Sequence, residues 1–450
     1  MICGGVKTIA KMNNNIIKIG DYVIIQRHNF KKIHKFNKSN STVTIGRDSV
    51  NLLGIENCPY SSVFKMIPKG NKRSKEYTIE LAEEAIVLKD EITVKTSGSD
   101  NRNIFDDGTS QKLTAAQIEE LTCDADKASD IIETLISNSN TFHSKTEYSQ
   151  EKYLKKKEKK YFEYFQIVRP NLRTIAEILY KLEPIKIQSL RLDTLSQIIS
   201  LCNVNSEGVH LLYDSGSNGL LAAALLNAIG SQTNGKLINM HPGNMSQKQA
   251  LLAMNFDEEQ YKRCISINIY SVLRLFYQGC DTNKLWETND SENSLKRKVF
   301  HNEINDAKIA KHELSLDVHS EDKNDKDCDI PQEVNTNEPK KPKWHFENMS
   351  AFELLQTKVD SLVIASKEDP ENIFIELVQF VKPGRPFVIY HNVAEPLQQL
   401  YMTLRCHSNV AAVKLTCNWM RNYQVLPERT HPEVMMNAAS GFLLTGYVLK

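Results

Sequence analysis

The sequence predicts an α/β protein in three parts. Residues 1–97 form a small β-barrel-like domain, residues 98–200 a helical connector, and residues 201–450 a Rossmann-like domain whose cofactor site is degenerate. Short apolar-alternating runs fill the N-terminal part, and strand-like and helix-like segments alternate strictly after residue 207. The turn where such a domain grips its cofactor keeps a single glycine in register.

In the N-terminal part, IIKIGDYVIIQR, STVTIGRD and SSVFKMI are strand-like runs separated by Gly, Asn and Lys clusters. Several short strands with no long helix point to a small barrel or sandwich. Helical periodicity takes over near residue 100. Thr114 is placed to cap AAQIEELTCDAD, and Ser129 to cap SDIIETLISNS. The basic stretch SQEKYLKKKEKKYFEYF and the amphipathic RLDTLSQIISLCNV follow.

From 207 the strands VHLLYD, KLINM and CISINI alternate with the helices GLLAAALLNAIG, SQKQALLAMN and SVLRLFYQG. Residues 281–345 break the pattern. They are crowded with Lys, Asp, Glu and Asn, too polar to repay the entropy of ordering, so a disordered insert is expected. AFELLQT, DSLVIAS, PENIFIELVQFV, RPFVIYH and PLQQLYMTLR then resume the alternation, and AAVKLTCNW and GFLLTGYVL close it. Strand–helix alternation argues for a parallel, doubly wound sheet. Five βα units ending in two further strands is the layout of class I methyltransferases.

Composition narrows the class. At roughly 100–200 residues per domain, 450 residues make two or three domains. A hydrophobic share of 41% and a charged share of 25% suit a soluble globular protein. A net charge of +1 rules out a polycation, so any nucleic-acid contact must come from local patches. The nine cysteines form no C-x-x-C pair, which argues against a zinc ribbon or a redox motif and for a reduced compartment. No metal site is expected. No apolar run approaches the ~20 residues that span a bilayer, so no membrane is expected. MICGGVKTIAKMNNN lacks the apolar core of a signal peptide, and either Met1 or Met12 can serve as the start.

Three strand ends carry the functional reading. A D-x-G-x-G-x-G turn starting at Asp214 needs glycines at 216, 218 and 220, where the backbone approaches the cofactor. The chain has Gly216, Asn218 and Leu220, with Gly219 one position off. The second strand should end in a carboxylate for the ribose hydroxyls; it ends in Asn239-Met240-His241-Pro242-Gly243. The fourth should deliver a polar or acidic group and reads Val363-Ile364-Ala365-Ser366-Lys367. Three losses at separate strand ends indicate a lost site.

The chain resembles the family of non-catalytic subunits of the eukaryotic tRNA (adenine-N1)-methyltransferase that modifies adenine 58 in the T-loop. The resemblance runs from about Ile16 to Lys450. It is carried by Asp100 to Gly108 (DNRNIFDDG), the run Lys152 to Lys160, Trp419 to Pro432 (WMRNYQVLPERTHP) and Gly441 to Tyr447 (GFLLTGY). It implies a catalytic paralogue of the same fold that holds S-adenosylmethionine, so that this chain has no cofactor of its own. It also implies a heterotetramer of two plus two subunits, action in the nucleus, and tRNA as the bound RNA.

The candidate tRNA contacts are Arg102, Lys152, Lys155, Lys156, Lys157, Lys159, Lys160, Arg385 and Arg421. Six lysines in nine positions wrap a helix and repel one another, a cost that a phosphate backbone repays through counterion release; a solvated face or a localisation signal is the bland alternative. Tyr153, Tyr161, Phe162 and Tyr164 are expected to anchor that helix. Arg385 sits in a rigid Pro/Gly turn and either reaches a phosphate or serves as a capping or salt-bridge arginine. Arg102 lies in a polar loop whose acids can pair with it. Arg421 either binds tRNA or stitches the last strands together, and Arg429 reads as structural. Three functions compete: an inert RNA-binding subunit, an active methyltransferase with an atypical cofactor loop, and an assembly protein that never touches RNA.

Overall fold

A computed structural model describes residues 15–28, 30–69, 75–82, 97–98, 110–124, 128–161, 164–279, 343–425, 429–434, 436 and 438–450; side chains at 119, 122–124, 128–129 and 158–161 are not described. Arg102 and nearly all of the 281–345 insert therefore lie outside the described residues. The last three insert positions, 343–345, are helical, because the helix read from Ala351 begins at Lys343.

The N-terminal strands are β1 (Tyr22–Arg27), β2 (Phe30–Lys35), β3 (Thr42–Ile45), β4 (Asp48–Asn51), β5 (Val63–Pro68) and β6 (Glu76–Ala82). They form one seven-stranded sheet, ordered β2-β1-β7-β5-β6-β4-β3, with β7 (Tyr164–Val168). The end strands approach each other, and Lys32 Nζ donates to the Thr44 carbonyl at 3.1 Å. This gives the barrel-like form. Period-2 burial explains it: Val23, Ile25, Phe64, Met66, Phe165 and Ile167 fill one interior. Ile24, on the opposite face of β1, belongs to the core of the C-terminal domain.

β7 departs from the sequence reading, which placed 164–168 inside a helical connector. The helices α1 (Ala115–Asp124), α2 (Ala128–Ser137) and α3 (Glu147–Tyr161) are instead inserted between two strands of one sheet. They bury a small core of their own around Ile132, Leu135 and Phe142, against which Tyr153, Leu154 and Tyr164 pack. Thr114 caps α1, accepting from Gln117 N at 3.3 Å while Gln117 Oε1 accepts from Thr114 N at 3.0 Å. Ser129 is not a cap, since α2 already begins at Ala128.

The chain returns through α4 (Leu172–Leu182), a short 3-10 turn (Pro184–Ile187) and α5 (Leu192–Leu201) to the C-terminal sheet. Its elements are β8 (Val209–Asp214), α6 (Leu220–Ile229), β9 (Lys236–His241), α7 (Gln249–Ala253), α8 (Glu258–Lys262), β10 (Cys264–Asn268), α9 (Ile269–Gln278), α10 (Lys343–Gln356), β11 (Ser361–Ala365), α11 (Pro370–Val378), β12 (Pro386–His391), α12 (Ala394–Cys406), β13 (Val410–Trp419), the short strands β14 (Tyr423–Gln424) and β15 (His431–Pro432), and β16 (Ala439–Val448). The sheet order is β10-β9-β8-β11-β12-β16-β13. β8 to β12 are parallel, and β16 is antiparallel to both of its neighbours. This is the expected Rossmann-like, methyltransferase-type sheet. α6 is buried along its length because it lies in one of the two cores that flank the sheet. The domains are clamped where Tyr22 N donates to Asn255 Oδ1 (2.8 Å) and Asn255 Nδ2 to the Tyr22 carbonyl (2.7 Å). No described helix is long and apolar enough to cross a membrane.

Candidate functional site

Open parallel sheets bind ligands beyond the carboxyl ends of their strands, where strand order reverses. Here that point lies between β8 and β11. Asp214, the last residue of β8, accepts the N–H of Gly216 (3.0 Å), the N–H of Ser217 (2.7 Å) and the Ser217 hydroxyl. Burial pushes its pKa up, against those hydrogen bonds and the Lys367 ammonium. Ser215 N donates to the Ala365 carbonyl (3.1 Å), and Lys367 N donates to Ser215 Oγ (2.8 Å). The loop thus spends its donors on the protein itself.

The glycine register decides what else fits. A Cβ at Gly216 would lie 2.2 Å from Lys367 Cε and 2.7 Å from Gln188 Nε2, so these side chains lie directly on the one retained glycine. Gln188 is held there by the 3-10 turn, with Gln188 and Ser189 both left-handed (φ 54° and 52°). Its carbonyl accepts from the buried Tyr390 hydroxyl at 2.7 Å. Asn218 is left-handed too, and its amide donates to Gln249 Oε1 at 2.6 Å, covering a position that should be bare. At the end of β9, His241 stands in place of the ribose carboxylate. It bonds the Gly243 carbonyl through Nδ1 (2.7 Å), and burial lowers its pKa. A neutral imidazole with one nitrogen so engaged offers one acceptor where a carboxylate offers two oxygens. Lys367 and Gln188 thus occupy the crevice beside Gly216, and the end of β9 carries His241 where a carboxylate was expected.

The crevice is closed, but the ends of β9 and β10 open into a cleft of about 670 Å³, bounded on its far side by the first turns of α10. Sequence reasoning missed Gln188, Lys248 and Trp344. Gln188 carries no local motif, and the other two meet only because α10 folds against β10 and α9.

The candidate cations separate into groups. Lys152, Lys155 and Lys156 are exposed on α3, and Lys157 is half-buried. Lys155 pairs with Glu151 at 3.0 Å, and Lys157 lies over the Tyr153 ring at 5.2 Å. Lys159 and Lys160 continue the helix, with side chains outside the described set. Tyr153 and Tyr164 anchor the helix as expected; Phe162, and Tyr161 as a side chain, fall outside the described residues. Arg429 sits 5.5 Å over the ring of Tyr148, which brings the C-terminal signature against the first turn of α3. Arg421 is exposed on the same segment. Arg385 lies at the opposite end of the sheet, and its Nη2 pairs with Asp360 Oδ1 at 3.0 Å. The pair is compatible with either reading, since the Arg385 side chain stays 41% exposed. No group of three or more His, Cys, Asp or Glu among the described residues could hold a metal ion.

The Gcd10p family model matches residues 16–311. The chain is similar to the tRNA (adenine(58)-N(1))-methyltransferase non-catalytic subunit TRM6 of Mus musculus, at 29% identity over 97% of this chain and 89% of the relative. It is 30% identical to the protein of the same description from Dictyostelium discoideum, over 98% of this chain and 80% of the relative. Among solved structures it is similar to an S-adenosylmethionine-dependent O-methyltransferase from Thermotoga maritima (TM-score 0.47, 10% identity, 97% of this chain and 96% of that one). Another is the tRNA (m1A58) methyltransferase TrmI of Aquifex aeolicus (TM-score 0.42, 11% identity, 97% and 100%).

Proposed function

The chain belongs to the Gcd10p family, and from that premise we propose that it is the non-catalytic, tRNA-binding subunit of a tRNA (adenine(58)-N(1))-methyltransferase. It supports N1-methyladenosine formation in the tRNA T-loop by a catalytic paralogue, which holds the S-adenosylmethionine. The observation that carries this reading is the crevice between β8 and β11, filled by Lys367 and Gln188 against Gly216. The relatives named as non-catalytic subunits support it from outside the structure. We further propose that the complex is a heterotetramer of two plus two and acts in the nucleus.

The RNA surface is the exposed lysine face of α3 together with Arg421 on the segment that Arg429 ties to α3. The partner's face is the open edge at β13 and the hairpin beyond it, where Trp419, Tyr423 and Val425 stand 68%, 56% and 75% exposed. An edge strand bordered by exposed apolar side chains is a pairing surface.

The test is tRNA methylation by each subunit alone and by the two together. Activity only, or mainly, from the mixture is the expected result. Methylation by this chain alone, or its binding of S-adenosylmethionine at micromolar concentration, would favour the atypical enzyme instead. Replacing Lys152, Lys155, Lys156 and Lys157 with alanine should weaken tRNA binding by the complex. It should also flatten the log–log salt dependence by about one unit per lost phosphate contact, with the partner still bound. An unchanged slope would return those lysines to a solvated face.

A further inference from the structure

We propose that the cleft beyond β9 and β10 binds one nucleoside monophosphate unit, either free or as an unstacked residue of a bound RNA. Its volume of about 670 Å³ falls within the range of small-molecule sites, and its lining supplies each contact such a ligand needs. Tyr270 and Trp344, 70% and 50% exposed, offer aromatic faces on which a base can stack. Lys248 makes no ion pair among the described residues and offers a point charge to a phosphate. Glu347, held by Lys343 at 3.5 Å, keeps an oxygen for a ribose hydroxyl.

The floor argues independently for an occupant. Ser246 Oγ and Ser266 Oγ, both in the lining, are buried without hydrogen-bond partners among the described residues. Each such oxygen costs on the order of 1–3 kcal/mol until something satisfies it. Two of them in one lining mark a place that a polar ligand completes. His241 adds an imidazole edge held in one tautomer by the Gly243 carbonyl. The route towards β8 is closed by Lys367 and Gln188, which lie against Gly216. A methionyl tail has nowhere to go.

The free-nucleotide form stands on the cleft alone; the RNA form rests on the function proposed above. Calorimetric titration of the full chain with AMP, adenosine and S-adenosylmethionine tests the first. Binding of tRNA to the complex with the catalytic subunit tests the second. Trp344→Ala should weaken AMP and adenosine alike, on the order of tenfold, as loss of a stacking face does. Lys248→Ala should weaken AMP but not adenosine. S-adenosylmethionine should bind no better than AMP. If the ligand is an RNA residue, AMP binding is weak, and Trp344→Ala lowers tRNA affinity on the order of tenfold with unfolding unchanged. The proposal is overturned if AMP and adenosine fail to bind and tRNA affinity is unaffected by both substitutions. AMP binding indifferent to both, or tighter binding of S-adenosylmethionine, would overturn it as well. A failed methylation assay would count against the function above, whereas the AMP and adenosine titrations read only the cleft.

Discussion

At the amino-terminal edge of the parallel sheet, Asp360 accepts from Val209 N (3.1 Å) and Lys382 Nζ (3.0 Å) and pairs with Arg385 (3.0 Å). The buried His210 beside it bonds Ser361 Oγ at 2.8 Å and the Asn205 carbonyl at 3.1 Å. At the carboxyl edge of the same strands, both polar atoms of the Gln188 side chain, Ser366 Oγ and Asn239 Oδ1 are buried with no partner. The two edges also treat their carboxylates oppositely. Burial would raise the pKa of Asp360, but its hydrogen bonds and the two cations outweigh burial and hold it below the usual range. Burial of Asp214 wins over its hydrogen bonds and raises its pKa. An edge that never served a ligand can be stitched shut with side chains. An edge shaped to receive one is left with polar groups that plugging side chains only partly satisfy.

The largest expected effect lies at the stitched edge. Asp360→Ala should cost about 2–3 kcal/mol in urea unfolding, because it strips three donors of their acceptor; Lys382 and Arg385 are partly exposed, and water recovers some of the loss. A loss under about 0.5 kcal/mol would show that this edge is no tighter than an ordinary surface. The sign of its pH dependence is fixed. A carboxyl depressed in the folded state contributes stability above its unfolded pKa of about 3.9 and loses it as pH falls through the folded value. Asp360→Asn should therefore flatten the acid limb of the stability curve below about pH 4.

At the plugged edge, two glycines should separate. Gly219 has φ +77°, and a Cβ there would strike the Gln247 carbonyl oxygen at 2.8 Å, so Gly219→Ala should cost about 2 kcal/mol. Gly216→Ala meets only the flexible end of Lys367 and the Gln188 amide and should cost about 1 kcal/mol or less. Equal losses in thermal unfolding would mean that Lys367 and Gln188 form a rigid plug.

Asp214→Asn should have the opposite sign to Asp360→Ala. A carboxyl raised in the folded state contributes stability below its unfolded pKa and loses it as pH rises through the folded value. The amide escapes that loss, so the variant should match or exceed wild type near pH 7, by no more than about 1 kcal/mol, and converge with it in acid. A variant weaker than wild type at pH 7 would show that the Ser217 and Gly216 bonds outweigh desolvation. The smallest effect is expected from Arg385→Ala, about 0.5 kcal/mol, because the pair is partly exposed and Asp360 keeps Lys382. A loss approaching that of Asp360→Ala would make Arg385 the main partner.

The sequence alone determined the α/β class, β8 residue for residue from Val209 to Asp214, and the missing glycines at 218 and 220, because burial periodicity and turn chemistry are local. It also marked the lysine run, whose charge density is visible in any context. Only the tertiary structure decided where distant residues meet. β7 rejoins the barrel across the inserted helices, Gln188 and Lys367 converge on Gly216, Arg429 stacks on Tyr148, and Arg385 pairs with Asp360. None of these pairings follows a period. Each is selected by the packing of whole elements, which brings side chains tens to hundreds of positions apart within a few ångströms, and no local pattern in the chain encodes that meeting.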